Sequence, residues 1–287
     1  MELLSIGTAS LERGNLRNRL LAEFRSVPSD ILASREEMQS GLHFFHLSSP
    51  EDVHERTLAY RYRVAEVLAD HIVDDWEINL IDRIISTHYD YFTDEERQSI
   101  QAYTQRNLNM GSDSSFRLHR KSRVMERLLE YLEGADQILI EGFVTFRLRE
   151  YLENLEEAVD RAVDDLLLER EYKEFVRLLQ YFVQVQEVRI AEVHVYLKGD
   201  GTFGLQDKDG NNMNHTAVEE LVMEMVDADF SYEDLLISNL ISAAPQHVVI
   251  HYPLGVGADE SVEMIKNVFV DRCTLCAGCK RCTKTKH

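Results

Sequence analysis

Proline is the residue that most restricts what this chain can fold into. The prolines stand at Pro28, Pro50, Pro245 and Pro253, and the stretch between Pro50 and Pro245 holds none. A proline inside a helix costs roughly 3 kcal/mol, because it lacks a backbone N–H and clashes with the preceding turn. A long, proline-free and glycine-poor interval therefore permits long helices. The expectation is an α+β fold. A long, predominantly helical middle is joined to small antiparallel or mixed sheets formed by the N- and C-terminal segments.

Residues 1–48 read as a β-α-β-β segment. Met1–Ile6 is short and apolar, and Leu16, Leu20, Leu21 and Phe24 recur at helical spacing. Ile31–Glu37 and Leu42–Leu47 flank a Gln39-Ser40-Gly41 turn and predict a hairpin. Residues 49–187 form the helical region. Ser49, Pro50 and Asp52 make a helix start, and Thr93 with Glu96 is a capping-box pair. Helices are expected near 50–73, 76–88, 93–109 and 115–133, the last ended by Gly134. The longest periodic segment runs from about Ile138 to Tyr181. Leu148, Leu152, Leu155, Val159, Ala162 and Leu166 form one stripe, with Glu153, Glu156, Glu157, Asp160 and Asp164 mainly off it. This is the pattern of a core helix with a solvated acidic face. The alternative, a dimeric coiled coil, needs three or four sustained heptads.

Within residues 188–270 the period changes. Ala191, Val193, Val195 and Leu197 alternate with Glu192, His194, Tyr196 and Lys198, which is a half-buried strand. A turn at residues 198–201 returns the chain as Thr202–Gln206. Helices fit Thr216–Val226, Ser231 to about Ser242, and Ser261–Phe269, and His247–Tyr252 is a short strand. Residues 271–287 are a cysteine-rich basic tail.

The tail holds all four cysteines of the 287-residue chain: Cys273, Cys276, Cys279 and Cys282, each separated from the next by two residues. A chain of this length buries an ordinary core and needs no staple to fold. In a reducing compartment, clustered thiols point to metal or redox chemistry rather than a disulfide framework. Thiolates suit both zinc and iron–sulfur clusters. The first three cysteines match the run that supplies three ligands to a [4Fe–4S] cluster. The ferredoxin run, however, continues with a three-residue gap, a cysteine and a proline, whereas here the gap is two and Thr283 follows. Structural zinc sites more often join two separate cysteine pairs. Zinc and [4Fe–4S] thus both stay open, as do a partial shell completed by a remote histidine or a second chain, and a tail of free thiols.

Residues two apart on a strand share a face, so His247, Val249 and His251 point one way. If this strand pairs with 191–197, then Glu192, His194, His247 and His251 converge as a metal or acid–base site. The bland reading is a wet sheet face. Asp207-Lys-Asp209-Gly210-Asn211-Asn212 resembles a calcium loop with a misplaced glycine, and reads as a turn. Glu51 and His54 form one Glu-x-x-His pair without the second that a di-iron bundle needs. Arg117, His119, Arg120, Lys121, Arg123 and Arg127 form a basic block. Such a block either grips a phosphate or an acidic partner, or pairs with the acidic helices, as charge runs usually do.

Composition excludes several function classes. The formal net charge of −20 and pI near 4.9 oppose general nucleic-acid binding and anionic membrane surfaces. No apolar run approaches the ~18 residues of a membrane helix, and the N-terminus does not read as a secretory signal, so a cytoplasmic protein without membrane insertion is expected. No Walker loop, dinucleotide fingerprint or nucleophile elbow is present.

Two stretches carry a family resemblance: EGFVTFRLREYLENLEEAVDRAVDDLLLEREYKEFVRLLQYFVQVQE at 141–187 and DLLISNLISAAPQHVVIHYP at 234–253. With the hairpin between them, the chain resembles the YtxC-like family of endospore-forming bacteria. The resemblance implies a bacterial cytosolic protein connected with sporulation. It carries no catalytic residues to transfer. The expected function is a non-enzymatic, sporulation-associated protein that meets a protein partner and bears a cysteine-ligated centre. The alternative is a redox or metal-dependent enzyme that uses the cysteine tail and the histidine-bearing sheet face.

Overall fold

The computed structural model describes residues 2–9, 13–25, 33–48, 54–109, 115–197, 203–213, 232–251 and 260–279. The chain divides into two compact units, Met1–Leu168 and Glu169–His287. The expected helix at 216–226, the turn at 198–201, the Ser49-Pro50-Asp52 helix start and Cys282 lie outside the described residues, as do the side chains of Glu51 and His54.

The first unit begins with β1 (Glu2–Thr8), α1 (Arg13–Phe24), β2 (Ala33–Gln39) and β3 (Leu42–Ser48). The sheet order is β2-β3-β1-β4, where β4 is Gln137–Leu139. β1 runs antiparallel to β3 and parallel to β4. Ser40 and Gly41 turn the hairpin, with φ of 52° and 82°. Two successive positive φ values give the turn a twist that matches that of the paired strands, and glycine takes the second without strain. β2 is exposed along its whole length and carries Arg35, Glu36 and Glu37, charges that blunt a free sheet edge. Three residues are too few to show a period, which is why β4 is illegible in the sequence.

Helices share a core with this sheet: α2 (His54–Asp70), α3 (Glu77–His88), α4 (Asp94–Asn109), α5 (Ser115–Gly134), α6 (Ile140–Arg147) and the first part of α7 (Arg149–Val185). A π-helical stretch, His71–Trp76, joins α2 to α3 where the sequence predicts a break. Its His71 ring is buried and meets Asp75 at 2.8 Å, and Arg19 of α1 bonds the same carboxylate at 2.9 Å. The capping box at α4 is formed: the Thr93 N–H donates to Glu96 Oε2 at 2.9 Å, and the Glu96 N–H donates to Thr93 Oγ1 at 3.3 Å. Leu148 just before α7 and Leu155, Val159 and Ala162 on it are buried, Leu152 and Leu166 pack against the same core, and the five acids off the stripe are exposed. Leu148 (φ −105°, ψ 38°) interrupts the expected continuous helix between α6 and α7.

In the second unit, β5 (Ile190–Leu197), β6 (Phe203–Asp207), β7 (Pro245–His251) and β8 (Cys273–Leu275) form a separate mixed sheet in the order β6-β5-β7-β8. The sheet segments at the two ends of the chain therefore build two sheets rather than sharing one. β5 pairs antiparallel with β6 and parallel with β7, and β7 pairs parallel with β8. One face of this sheet is apolar: Val193, Val195, Val248 and Ile250 are buried under the end of α7, α8 (Tyr232–Ala243) and α9 (Glu260–Phe269). The strand period of two sends Glu192, His194, Tyr196, His247, Val249 and His251 to the other face. The loop after β6 is a turn closed by one carboxylate. Asp207 Oδ1 accepts the N–H groups of Asp209 and Asn211 at 2.9 and 2.8 Å. Hydrogen bonds, foremost from the Asn211 side chain, hold this exposed carboxyl below its usual range.

Candidate metal centre

The parallel register of β5 and β7 aligns Glu192 with His247, His194 with Val249, and Tyr196 with His251. His194 and His251 are diagonal neighbours on one face, and their rings meet. The His194 Nδ1 to His251 Nε2 distance is 2.9 Å. His194 Nε2 lies 3.0 Å from Glu192 Oε1. With Glu192 ionised and both rings neutral, one proton arrangement satisfies this chain. His194 Nε2–H donates to the carboxylate, so its Nδ1 accepts from His251 Nε2–H. His251 Nδ1 then presents a lone pair. The Tyr196 ring stacks on His251 at 4.5 Å and 8°, and His251 is 4% exposed. The imidazole is thus fixed on its flat side by a ring and at its edge by a hydrogen bond.

That lone pair faces sulfur. Cys279 Sγ lies 3.7 Å from His251 Nδ1. Ligand atoms of His251, Cys276 and Cys279 all lie within 4.8 Å of one another. The backbone explains how residues so distant in sequence meet. β8 adds to the edge of β7, and the Cys276 N–H continues the ladder by donating to Ile250 O at 2.9 Å. Alternation then puts Cys276 on the face of Thr274, beside His251. Gly278, with φ of 108°, turns the chain so that Cys279 returns to the same group. No atom lies within 4 Å of a Cβ placed at Gly278, so the backbone angle, not space, calls for glycine there.

A tetrahedral zinc with bonds of about 2.0–2.3 Å separates a nitrogen and a sulfur ligand by roughly 3.6 Å. The His251–Cys279 distance fits this, and the chain of bonds behind His251 is the outer-shell support that ligating imidazoles normally have.

Cys273 is placed differently. It pairs with Val248 in β8 and packs against the apolar core on the opposite face of the sheet. Burial pushes its thiol up to about 11, against a smaller downward pull from Lys266. A thiol held protonated is a poor metal ligand. Of the four cysteines singled out by spacing, Cys276 and Cys279 come together with His251, Cys273 does not, and Cys282 lies outside the described residues. Of the four residues expected to converge on the sheet face, Glu192, His194 and His251 form the chain of bonds. His247 instead meets Thr274 Oγ1 through Nε2 at 2.9 Å. The pairing of His251 with Cys276 and Cys279 has no signature in sequence spacing. Only recognition of Cys273–Leu275 as a third parallel strand would have revealed it.

Fold and site together define an α+β protein with a thiol–imidazole cluster at the edge of a mixed sheet. The YtxC-like family model matches residues 62–274, and the chain belongs to that family. The matched residues include Glu192, His194, His247 and His251 and end before Cys276. The chain is similar to the "Uncharacterized protein YtxC" of Bacillus subtilis (strain 168), at 30% identity over 166 residues. That alignment covers 54% of this chain and 54% of the relative, so the chain spans about half the length of the curated relative. No solved structure matches it. Among the described residues, no helix is long and apolar enough to cross a membrane.

Proposed function

We propose that this chain is a non-enzymatic, cytoplasmic, sporulation-associated protein that engages a protein partner and whose second unit binds one zinc ion. The ligands are His251 Nδ1, Cys276 and Cys279. Cys282, three residues further on, is the fourth by sequence spacing. The observation that carries the reading is the bond chain from Glu192 through His194 to His251, which leaves a buried imidazole nitrogen aimed at a thiol 3.7 Å away. A [4Fe–4S] cluster on four thiols is less well supported, because it would draw Cys273 away from the apolar face it packs against. The sporulation role rests on family membership alone.

Anaerobic purification followed by metal analysis and absorbance tests the centre. The expected result is one zinc per chain, lost in His251→Ala and Cys276→Ser. Brown protein with iron and sulfide would replace zinc by a cluster. Metal-free protein that fails to take up zinc would sink both.

The same geometry supports a second reading. Cys279 beside an imidazole that is itself oriented by a further bonded group is the arrangement of an activated thiol nucleophile. This reading predicts metal-free protein in which iodoacetamide reacts with Cys279 first, and much more slowly after His251→Ala.

A further inference from the structure

The basic block of α5 divides between two helix faces. Arg117, Arg120 and Lys121 turn to carboxylates: Arg117 to Asp74, Arg120 to Glu77 at 3.0 Å, and Lys121 to Asp70 at 2.8 Å. The neighbouring face lines a cavity of about 710 Å³, together with residues of α4, α6 and α7, all in the first unit. Six arginines and two glutamates line it. Three of the arginines are engaged: Arg120 by Glu77, Arg127 by Glu130 and Arg149 by Glu153. The other three have no carboxylate partner among the described residues. Arg123 makes no ion pair, Arg147 lies over the Tyr131 ring at 5.7 Å, and Arg161 donates only to the Glu157 carbonyl at 3.2 Å.

This is the reverse of what the charge balance favours. The chain has 51 acidic side chains against 31 basic ones, yet three guanidiniums around one cavity have no carboxylate partner among the described residues. A concave surface with a surplus of one sign concentrates its field on whatever enters. The net charge of −20 still repels a long polyanion, whereas a compact ligand inside a screening length of about 8 Å meets mainly the local arginines. Guanidinium forks match phosphate oxygens in pairs. The cavity volume suits a metabolite rather than a polymer. Phe116, 55% exposed on the lining, offers a ring face to the apolar part of a ligand.

We propose that this cavity binds a small phosphorylated molecule of nucleotide size, its phosphates held by Arg123, Arg147 and Arg161. Calorimetric titration of the full chain with ADP and with inorganic pyrophosphate tests this. Saturable one-site binding is expected for both, weaker as salt rises. Arg123→Gln and Arg147→Gln should each weaken it about tenfold or more, as loss of a charge-assisted bond does. Arg161→Lys keeps the charge and the fold but loses the fork, and should weaken it too. Arg177→Gln, which removes an exposed guanidinium outside this cavity, should leave it unchanged. Three results overturn the proposal: no saturable heat at millimolar probe, equal weakening by Arg177→Gln, or binding of a tricarboxylate or an oligoglutamate as tight as that of ADP. Thermal melts establish that each variant is folded.

Discussion

Replacing His194 isolates the outer shell of the metal centre from its ligands. His194→Phe keeps a ring of similar size on a side chain that is 13% exposed, and removes the acceptor that His251 Nε2–H meets at 2.9 Å. Two effects add. The His251 N–H loses its bond in a poorly hydrated place, and the ring loses the contact that aims Nδ1 at Cys279. Outer-shell replacements of this kind cost about 10–100-fold in metal affinity, or roughly 1.4–2.7 kcal/mol. His194→Asn is the informative companion. Its Oδ1 stands close to the position of Nδ1 and accepts the same hydrogen bond, so most of the affinity should return. Glu192→Gln should cost only a few-fold, because the amide oxygen still accepts from His194 Nε2–H. The assay is competition for zinc against a colorimetric chelator at neutral pH, with the metal-free melting temperature as a check on folding. If the Phe variant binds zinc within twofold of the parent while His251→Ala does not bind, the chain of bonds does not orient the ligand. If Asn and Phe weaken binding equally, the hydrogen bond is not the cause.

Three further outcomes follow from the geometry. Cys273, with its thiol pushed up to about 11 by burial, should alkylate more slowly than Cys276 and Cys279 in metal-free protein. Its rate should keep rising with pH past the point where an ordinary thiol levels off, because only the thiolate reacts; mass spectrometry of labelled peptides reads this, and equal rates would refute it. Leu155→Ala empties a fully buried position on α7 and should destabilise the first unit by about 2–5 kcal/mol in urea unfolding. Gly7→Ala places a Cβ 2.7 Å from a Phe44 ring carbon that is itself buried, costing about 1–3 kcal/mol, and Phe44→Leu should recover part of the loss.

Some of this protein is written locally. Thr93 and Glu96 satisfy each other across one helical turn, so the start of α4 needs no information from elsewhere. The stripe on α7 and the alternation of residues 191–197 are likewise local, since the period of the chain decides which side chains share a face. The Ser40-Gly41 turn belongs here too: it is closed by adjacent residues, and Gly41 takes its positive φ without strain. These features are why the α+β class and the half-buried strand are legible.

The site is not local. Spacing presents Cys273, Cys276, Cys279 and Cys282 as four equal thiols. Pairing of Cys273–Leu275 with β7 makes them unequal, because alternation on a strand turns Cys273 against the apolar core and Cys276 to the polar face. Which histidine they meet depends on the parallel register of β7 and β8, and the register of β5 and β7, with Val193, Val195, Val248 and Ile250 packed in one core, brings His194 to that histidine. The basic block behaves in the same way. Its composition predicts pairing, which holds for Arg117, Arg120 and Lys121, but the tertiary structure turns Arg123 to a cavity where it has no carboxylate partner among the described residues. The sequence by itself determined the longer helices, the hairpin, the half-buried strand and the supply of ligands. The tertiary structure decided the ligands' faces, because a strand's register and the neighbour it pairs with are fixed by contacts between residues far apart in the chain.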